Sequence, residues 1–516
     1  MHYIISIRDV GLTSTRYFSR LHRFNGILDP LLHTVDFVRS QSSLLFTWIL
    51  ALTAQFDPGS ASIAKRLRLH GEKLSKHVYT CGYKSVEIVQ GYYISLLSAT
   101  PARTLWEERS WLYTMYAFGV AAELGLDQGS RRPDQRPAHA YSTQSTHSDL
   151  GQQHNSTCNP IENPIYAQRM ARNRERTWLR ILLWERANSA ACGRMNAIPE
   201  TDLTRNIESL WMHPLADSTD KHTCSFILLR YHLASLHSEV RRHVDVPHPD
   251  RHWVRNLINT TLEPWEKSWL PSLDDSLPPS ERLPTVHLYY VYIHSRLWTL
   301  SLALHASNGN RDLSAIREDC FEAAVHCCEV AVRDLQTIGE PLYCMLAPTW
   351  AMISYAAVLA LRLFPHLHGP RPEYQVELLA LLAQVALQLE RAGSTPSHRF
   401  GIAALLGQHL LMILRTKATV LGGAVPTSEN ENRAPIVPRI ADTNPIVSTN
   451  SGFQGGTEGP SEGGEIPQET RAFDPLVSTY DPFLTAASLG TDNDIAGDGF
   501  ADLFRELFGP SFGSVF

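Results

Sequence analysis

The chain has 516 residues, with 46 Lys or Arg against 52 Asp or Glu, 43% hydrophobic and 19% charged residues. That length allows a large core, and the net charge of -6 excludes a protein that wraps nucleic acid over its whole surface. Eight cysteines, behind an N-terminus with no signal-peptide apolar run, read as reduced intracellular thiols rather than a disulfide framework.

Helical periodicity persists to about residue 417 and no stretch alternates like a strand, so the expected fold class is all-α. Helices are expected near 42–56, 60–79, 84–98, 104–124, 171–191, 222–243, 250–268, 282–306, 311–338, 345–363, 372–392 and 397–417. Thr104 and Glu107 form a capping box at the start of the fourth, and Gly125 is its stop signal. Residues 129–165 are polar and rich in Pro, Ser, Gln and His, the composition of a disordered insertion. The run "MLAPTWAMISYAAVLAL" carries no charge for 17 residues, but Pro348 and Thr349 interrupt it and Arg362 follows, which favours a buried core helix over a membrane span. Residues 65–73, "KRLRLHGEK", interleave leucines with cations as a solvated helix face does.

From 418 to 516 the chain reads as a disordered, acidic, Gly/Pro-rich tail. Residues 421–516 hold 14 Asp or Glu and 4 Arg, a charge of -10, which leaves +4 for the remainder. Near its end Phe500, Leu503, Phe504, Leu507 and Phe508 share one helical face with acidic residues around them. That pattern suits a segment, 498–512, that folds on docking in a coactivator's groove; the competing reading is a helix packed back on its own domain.

No catalytic constellation emerges, and the chain is read as a non-enzyme with no cofactor. The densest thiol group is Cys320, Cys327 and Cys328 with His326, but one helix places 320 and 327 about 10 Å apart, so buried structural thiols are expected. Asp274 and Asp275 lack the third carboxylate of a magnesium–diphosphate site and are followed by two prolines. Cys192 falls at a helix C-terminus, where the macrodipole disfavours a thiolate, and has no base beside it. In the same helix Trp178, Ile181, Leu182 and Glu185 lie along one side, Arg180 is placed to lie over Trp184, and Gly193 supplies the cap.

Three blocks in order resemble the regulatory domain, or middle homology region, of fungal zinc-cluster transcription factors. They are "LDPLLHTVDFVRSQSSLLFTWILALTAQF" at 28–56; "KSVEIVQ" with "EERSWLYTMYAFGVAAELGLDQ", which holds Trp111 and Gly125; and "RERTWLRILLWERANSAACGRMNAI". In the third, Arg176, Trp178, Arg186, Gly193, Arg194 and Ile198 occupy matching positions, while Glu185 stands where Asp is frequent and Met195 where Pro is usual. The resemblance implies a helical regulatory domain over 25–417, after an N-terminal remnant at 1–24, in a nuclear, RNA polymerase II-dependent regulator. Family members carry a six-cysteine cluster with two zinc ions that reads DNA, yet no cysteine precedes Cys81 here. Zinc is therefore expected only with a missing N-terminal module, and DNA is reached only through such a module or indirectly. Transcriptional coactivators or other regulators, a small-molecule effector and a second copy of the chain are the candidate partners; no membrane is expected. The alternatives are an interaction module that partners or titrates full-length regulators and, behind it, a helical metabolite-binding protein or enzyme.

Overall fold

Three small side chains start the first helices. Thr34, Ser42 and Ser85 each accept a hydrogen bond from the backbone N–H three residues on, at 3.3, 3.2 and 3.2 Å, pairing donors that a helix start leaves free. They open α1 (Val35–Gln41), α2 (Ser43–Gln55) and, beyond α3 (Ala61–Cys81), α4 (Val86–Leu97). A computed structural model describes residues 16–98, 110–128, 164–192, 197–242, 251–270, 279–306, 314–337, 347–367 and 372–422. The helices continue with α5 (Ser110–Glu123), α6 (Pro164–Cys192), α7 (Ser218–Arg242), α8 (Arg251–Trp269) and α9 (Pro279–Ala306). After them come α10 (Ser314–Thr337), α11 (Ala347–Leu363), α12 (Pro372–Ser394) and α13 (Ile402–Gly422). Among the described residues there is no strand, and the fold is all-α as expected.

Most helices fall within a few residues of their expected places. The exceptions have physical reasons. α6 begins at Pro164, well ahead of 171, because its first turns are exposed or half-buried and carry no regular apolar period. α1 and the turns Asp202–Arg205 and Glu208–Trp211 are too short for a period to register. Residues 17–24, assigned by sequence to a remnant ahead of the domain, are helical and send Tyr17, Leu21 and Phe24 into the core. The Thr104–Glu107 box, residues 129–163 of the expected insertion, the Asp274–Asp275 pair and the tail from 423 lie outside the described residues; the insertion's last two positions, 164 and 165, belong to α6.

α2 and α4 are buried nearly all round, and α3 covers α2 with a narrow stripe of Ala64, Gly71, Ser75 and Val78. A Cβ on Gly71 would stand 2.7 Å from the ring of Trp48, so the small residue sets how closely the helices approach. Trp48 Nε1 donates to Ser75 Oγ at 3.1 Å, so the indole N–H is satisfied within this packing. Leu67 and Leu74 pack against the core beside that stripe, while Lys65, Arg66 and Lys73 are exposed, as on a solvated basic face. α11 with its following turn, Ala347–His366, is long and apolar enough to cross a membrane, but 78% of that window is enclosed by protein. It packs against α10, whose Cys320, Cys327 and Cys328 are fully buried, with burial pushing all three thiols up. These are the structural thiols expected; His326 instead turns to Tyr289, whose hydroxyl lies 3.2 Å from its Nε2.

Candidate functional site

The functional candidates converge on α6. Arg169, Arg172, Arg176 and Arg180 recur at helical spacing and form one stripe down its side. Opposite them stand Asp29 from the loop before α1 and Asp217 and Asp220 at the start of α7. Arg176 donates from Nε and Nη2 to both oxygens of Asp220, at 2.7 and 2.8 Å, and Arg172 donates to the same carboxylate at 2.9 Å. Arg169 grips Asp29 at 2.9 and 3.2 Å. Side chains of Arg172, Arg176 and Asp220 are at most 5% exposed, so these are buried ion pairs rather than surface decoration.

Asp220 does two jobs at once. Asp217 is the N-cap of α7, its Oδ1 accepting from the N–H groups of Thr219 and Asp220 at 2.8 and 3.0 Å, and Asp220 reaches back to the N–H of Asp217 at 3.3 Å. This reciprocal cap fixes the carboxylate that holds the two arginines. Desolvation works against charge throughout the layer; it lowers the pKa of Arg180 but is outweighed at Arg176 and Asp217. The Asp220 hydrogen bonds hold the Arg176 guanidinium above its usual range, while the charge of Arg176 and the hydrogen bonds from Thr219 keep Asp217 well below the carboxylate range.

A neutral network extends the layer to α4. The N–H of Asp29 donates to His33 Nδ1 at 2.9 Å, leaving His33 Nε2 to donate to Gln90 Oε1 at 3.1 Å. Gln90 in turn donates to Asn173 Oδ1 at 2.7 Å and Thr177 Oγ1 at 2.9 Å on α6. Burial pushes His33 down to about 4, so the imidazole stays uncharged beside the arginines.

Arg180 does not lie over Trp184. It donates to the carbonyls of Thr219 (3.1 Å) and Phe24 (3.4 Å), passing over Gly26, where a Cβ would stand 2.2 Å from Nη2. Gly26 has φ +48, which also favours glycine. Trp184 packs edge-on against Tyr93 at 5.8 Å, and Trp178 leans on Phe118 at 5.7 Å. Local i,i+4 spacing suggested the cation–ring pair; two buried carbonyls from outside α6 took the guanidinium instead.

The helix exit is stitched by the motif residues themselves. Glu185 is fully buried and its Oε1 accepts from Ser189 Oγ at 2.9 Å and from the N–H of Ala197 at 2.7 Å. Arg186 donates to the carbonyl of Ile198 at 2.7 Å and to Glu200 at 3.1 Å, and Ile198 is buried in the core. Gly193, Arg194 and the Cys192 side chain lie outside the described residues, as do Phe500, Leu503, Phe504, Leu507 and Phe508. Trp111 is partly buried in α5, and Gly125 ends its helix region at φ +63 as its stop signal required.

Asp29, Asp217, Asp220 and Gln90 were not singled out from sequence. A readable trace existed in the Asp217–Ser–Thr–Asp220 spacing, a reciprocal-cap pattern, and in the four arginines at 169, 172, 176 and 180. The layer offers no solvent-facing nucleophile or base; what it does is lock the loop before α1 and helices α4, α6 and α7 to one another. Among the described residues no group of three His, Cys, Asp or Glu is placed to hold a metal ion.

Fold and site together define an all-helical protein whose charged residues are turned inward to fasten helices. The chain is similar to Protein priB of Lentinula edodes, at 25% identity over 328 residues, 63% of this chain and 48% of that protein. It thus spans about half the length of this curated fungal relative. No family model matches the chain, and no solved structure matches it.

Proposed function

We propose that the chain is a nuclear transcription regulator of the fungal zinc-cluster type, in which the helical body is the regulatory domain and the acidic tail recruits coactivators. One observation carries this reading. The three sequence blocks that resemble the middle homology region lie far apart in the chain, yet Asp29 and His33 of the first, Gln90 of the second and Arg176 of the third belong to one buried polar layer. Blocks that specify a common layer are expected of a shared domain, whereas chance matches have no reason to meet. Similarity to a fungal protein supports the setting. DNA is then reached through a zinc cluster supplied outside this sequence or through a partner protein.

The test is a reporter assay with residues 421–516 fused to a heterologous DNA-binding domain. Activation that depends on Phe500, Leu503, Phe504, Leu507 and Phe508 is the expected result, and a silent fusion contradicts it. A second reading is a module that pairs with or titrates regulators carrying the cluster. A silent tail together with nuclear co-purification of such regulators would select that second reading.

A further inference from the structure

α5 carries no charge before its last residue, Glu123, and a helix apolar all round is ordinarily enclosed on every side. This one is enclosed on one side only. Thr114, Ala117, Val120 and Ala121 face the core, while Leu112, Met115, Tyr116 and Gly119 fall on the opposite side, with Leu112 67% exposed. A Cβ on Gly119 would meet no neighbouring described element within 4 Å, so the surface is open there. A contiguous apolar face of this kind marks a place where something docks, unlike a single exposed leucine.

α3 borders the open side and makes one edge of it cationic. The Tyr113 hydroxyl donates to Glu72 at 3.0 Å, the Tyr116 and Tyr79 rings lie 5.0 Å apart and Lys84 pairs with Glu123, so the two helices ascend together. Lys65, Arg68, Leu69 and Lys76 share the α3 stripe of Glu72 and Tyr79, and Tyr79 is itself 65% exposed. Along its whole length α3 has five Lys or Arg against the single Glu72. The strip is therefore apolar along α5 and basic along α3, the complement of an acidic amphipathic helix.

The chain carries such a segment. In 498–512, Phe500, Leu503, Phe504, Leu507 and Phe508 share a helical face, with three acidic residues against Arg505. Between Gly422, the end of α13, and Asp498 stand 75 residues, which at up to about 3.3 Å each can reach any side of a domain of this size. Residues 99–109 and 129–163, which flank α5 in sequence, have balanced charge and no such apolar period. A second copy paired through α5 would bring two basic α3 helices together. We propose that the open face of α5, with its basic edge on α3, is the docking surface for residues 498–512 of this same chain. The docking stands on its own; that it withholds the segment from coactivators rests on the transcriptional reading.

The test places a benzophenone side chain at Gly119 of the full chain and identifies what irradiation joins to it. The expected product links 498–512 of the same chain, stays monomeric and forms in a yield independent of protein concentration. Phe504→Asp with Leu507→Asp, which leaves the helical body's own sequence intact, is expected to cut that yield about tenfold or more, and Arg68→Glu with Lys76→Glu about fivefold. Capture of 99–109 or 129–163 instead, a dimeric product, no product with 498–512, or a yield indifferent to either pair of substitutions would overturn the assignment. The crosslink can fail while the reporter fusion of 421–516 still activates, and it can form while that fusion is silent, so the two proposals fail separately.

Discussion

Two buried polar regions of the same helical body settle their charges in opposite ways. Around α6, arginines that cannot shed their protons are matched by the carboxylates of Asp29 and Asp220. Between α7, α9 and α11 the polar groups are histidines that can, and each needs only a neutral neighbour: His287 Nε2 lies 2.9 Å from Thr349 Oγ1, and His294 meets the ring of Tyr355 edge-on at 5.7 Å. The first region is therefore vulnerable mainly to loss of a partner, with His33 its one acid-sensitive member, and the second to acid.

Acid should have the largest effect. His33 is held at about 4 and His237, His287 and His294 at about 3, against an ordinary 6.5. An unfolded chain takes up these protons below about pH 6.5 and the folded one does not, so stability is full above that point and is lost as pH falls toward 4. Four protons correspond to a slope approaching ~5 kcal/mol per pH unit. Denaturant titrations should show the midpoint collapsing through this window, and a flat profile down to about pH 4 would contradict neutral burial.

Asp220→Ala comes next, at about 3–5 kcal/mol, because it strands two buried guanidiniums and undoes the α7 cap. Equilibrium unfolding checks it, and a loss under about 1 kcal/mol would mean the pairs are not formed. Glu185→Ala should cost about 2–3 kcal/mol by leaving the Ala197 N–H unpaired, and Arg186→Ala about 1–2 kcal/mol, since its guanidinium is closer to solvent. The smallest effect is reserved for Lys65→Ala or Arg66→Ala on the exposed face of α3, within about 0.5 kcal/mol. Thermal unfolding of these last variants sharpens the contrast between solvated cations and those of α6.

Much of this was legible in sequence and some was not. The 3.6-residue period placed the long helices, Gly125 marked a stop, and Trp178, Ile181, Leu182 and Glu185 were correctly put on one packed side, all now buried. The polar layer was not legible because its partners are distant in the chain: Arg169 meets a residue 140 positions away and Arg176 one 44 away. Periodicity reports which face is buried, not which far segment covers it. Arg180 illustrates the limit, since the visible neighbour four residues on lost to carbonyls from Phe24 and Thr219.

The central claim is that this helical body belongs to a transcription regulator. It is tested most directly by tethering the full chain to a reporter promoter through a heterologous DNA-binding domain, with and without Phe504→Ala and Leu507→Ala. The account predicts activation that falls about tenfold or more in the double variant while protein level stays unchanged. An inert fusion, or activation indifferent to both substitutions, would contradict it.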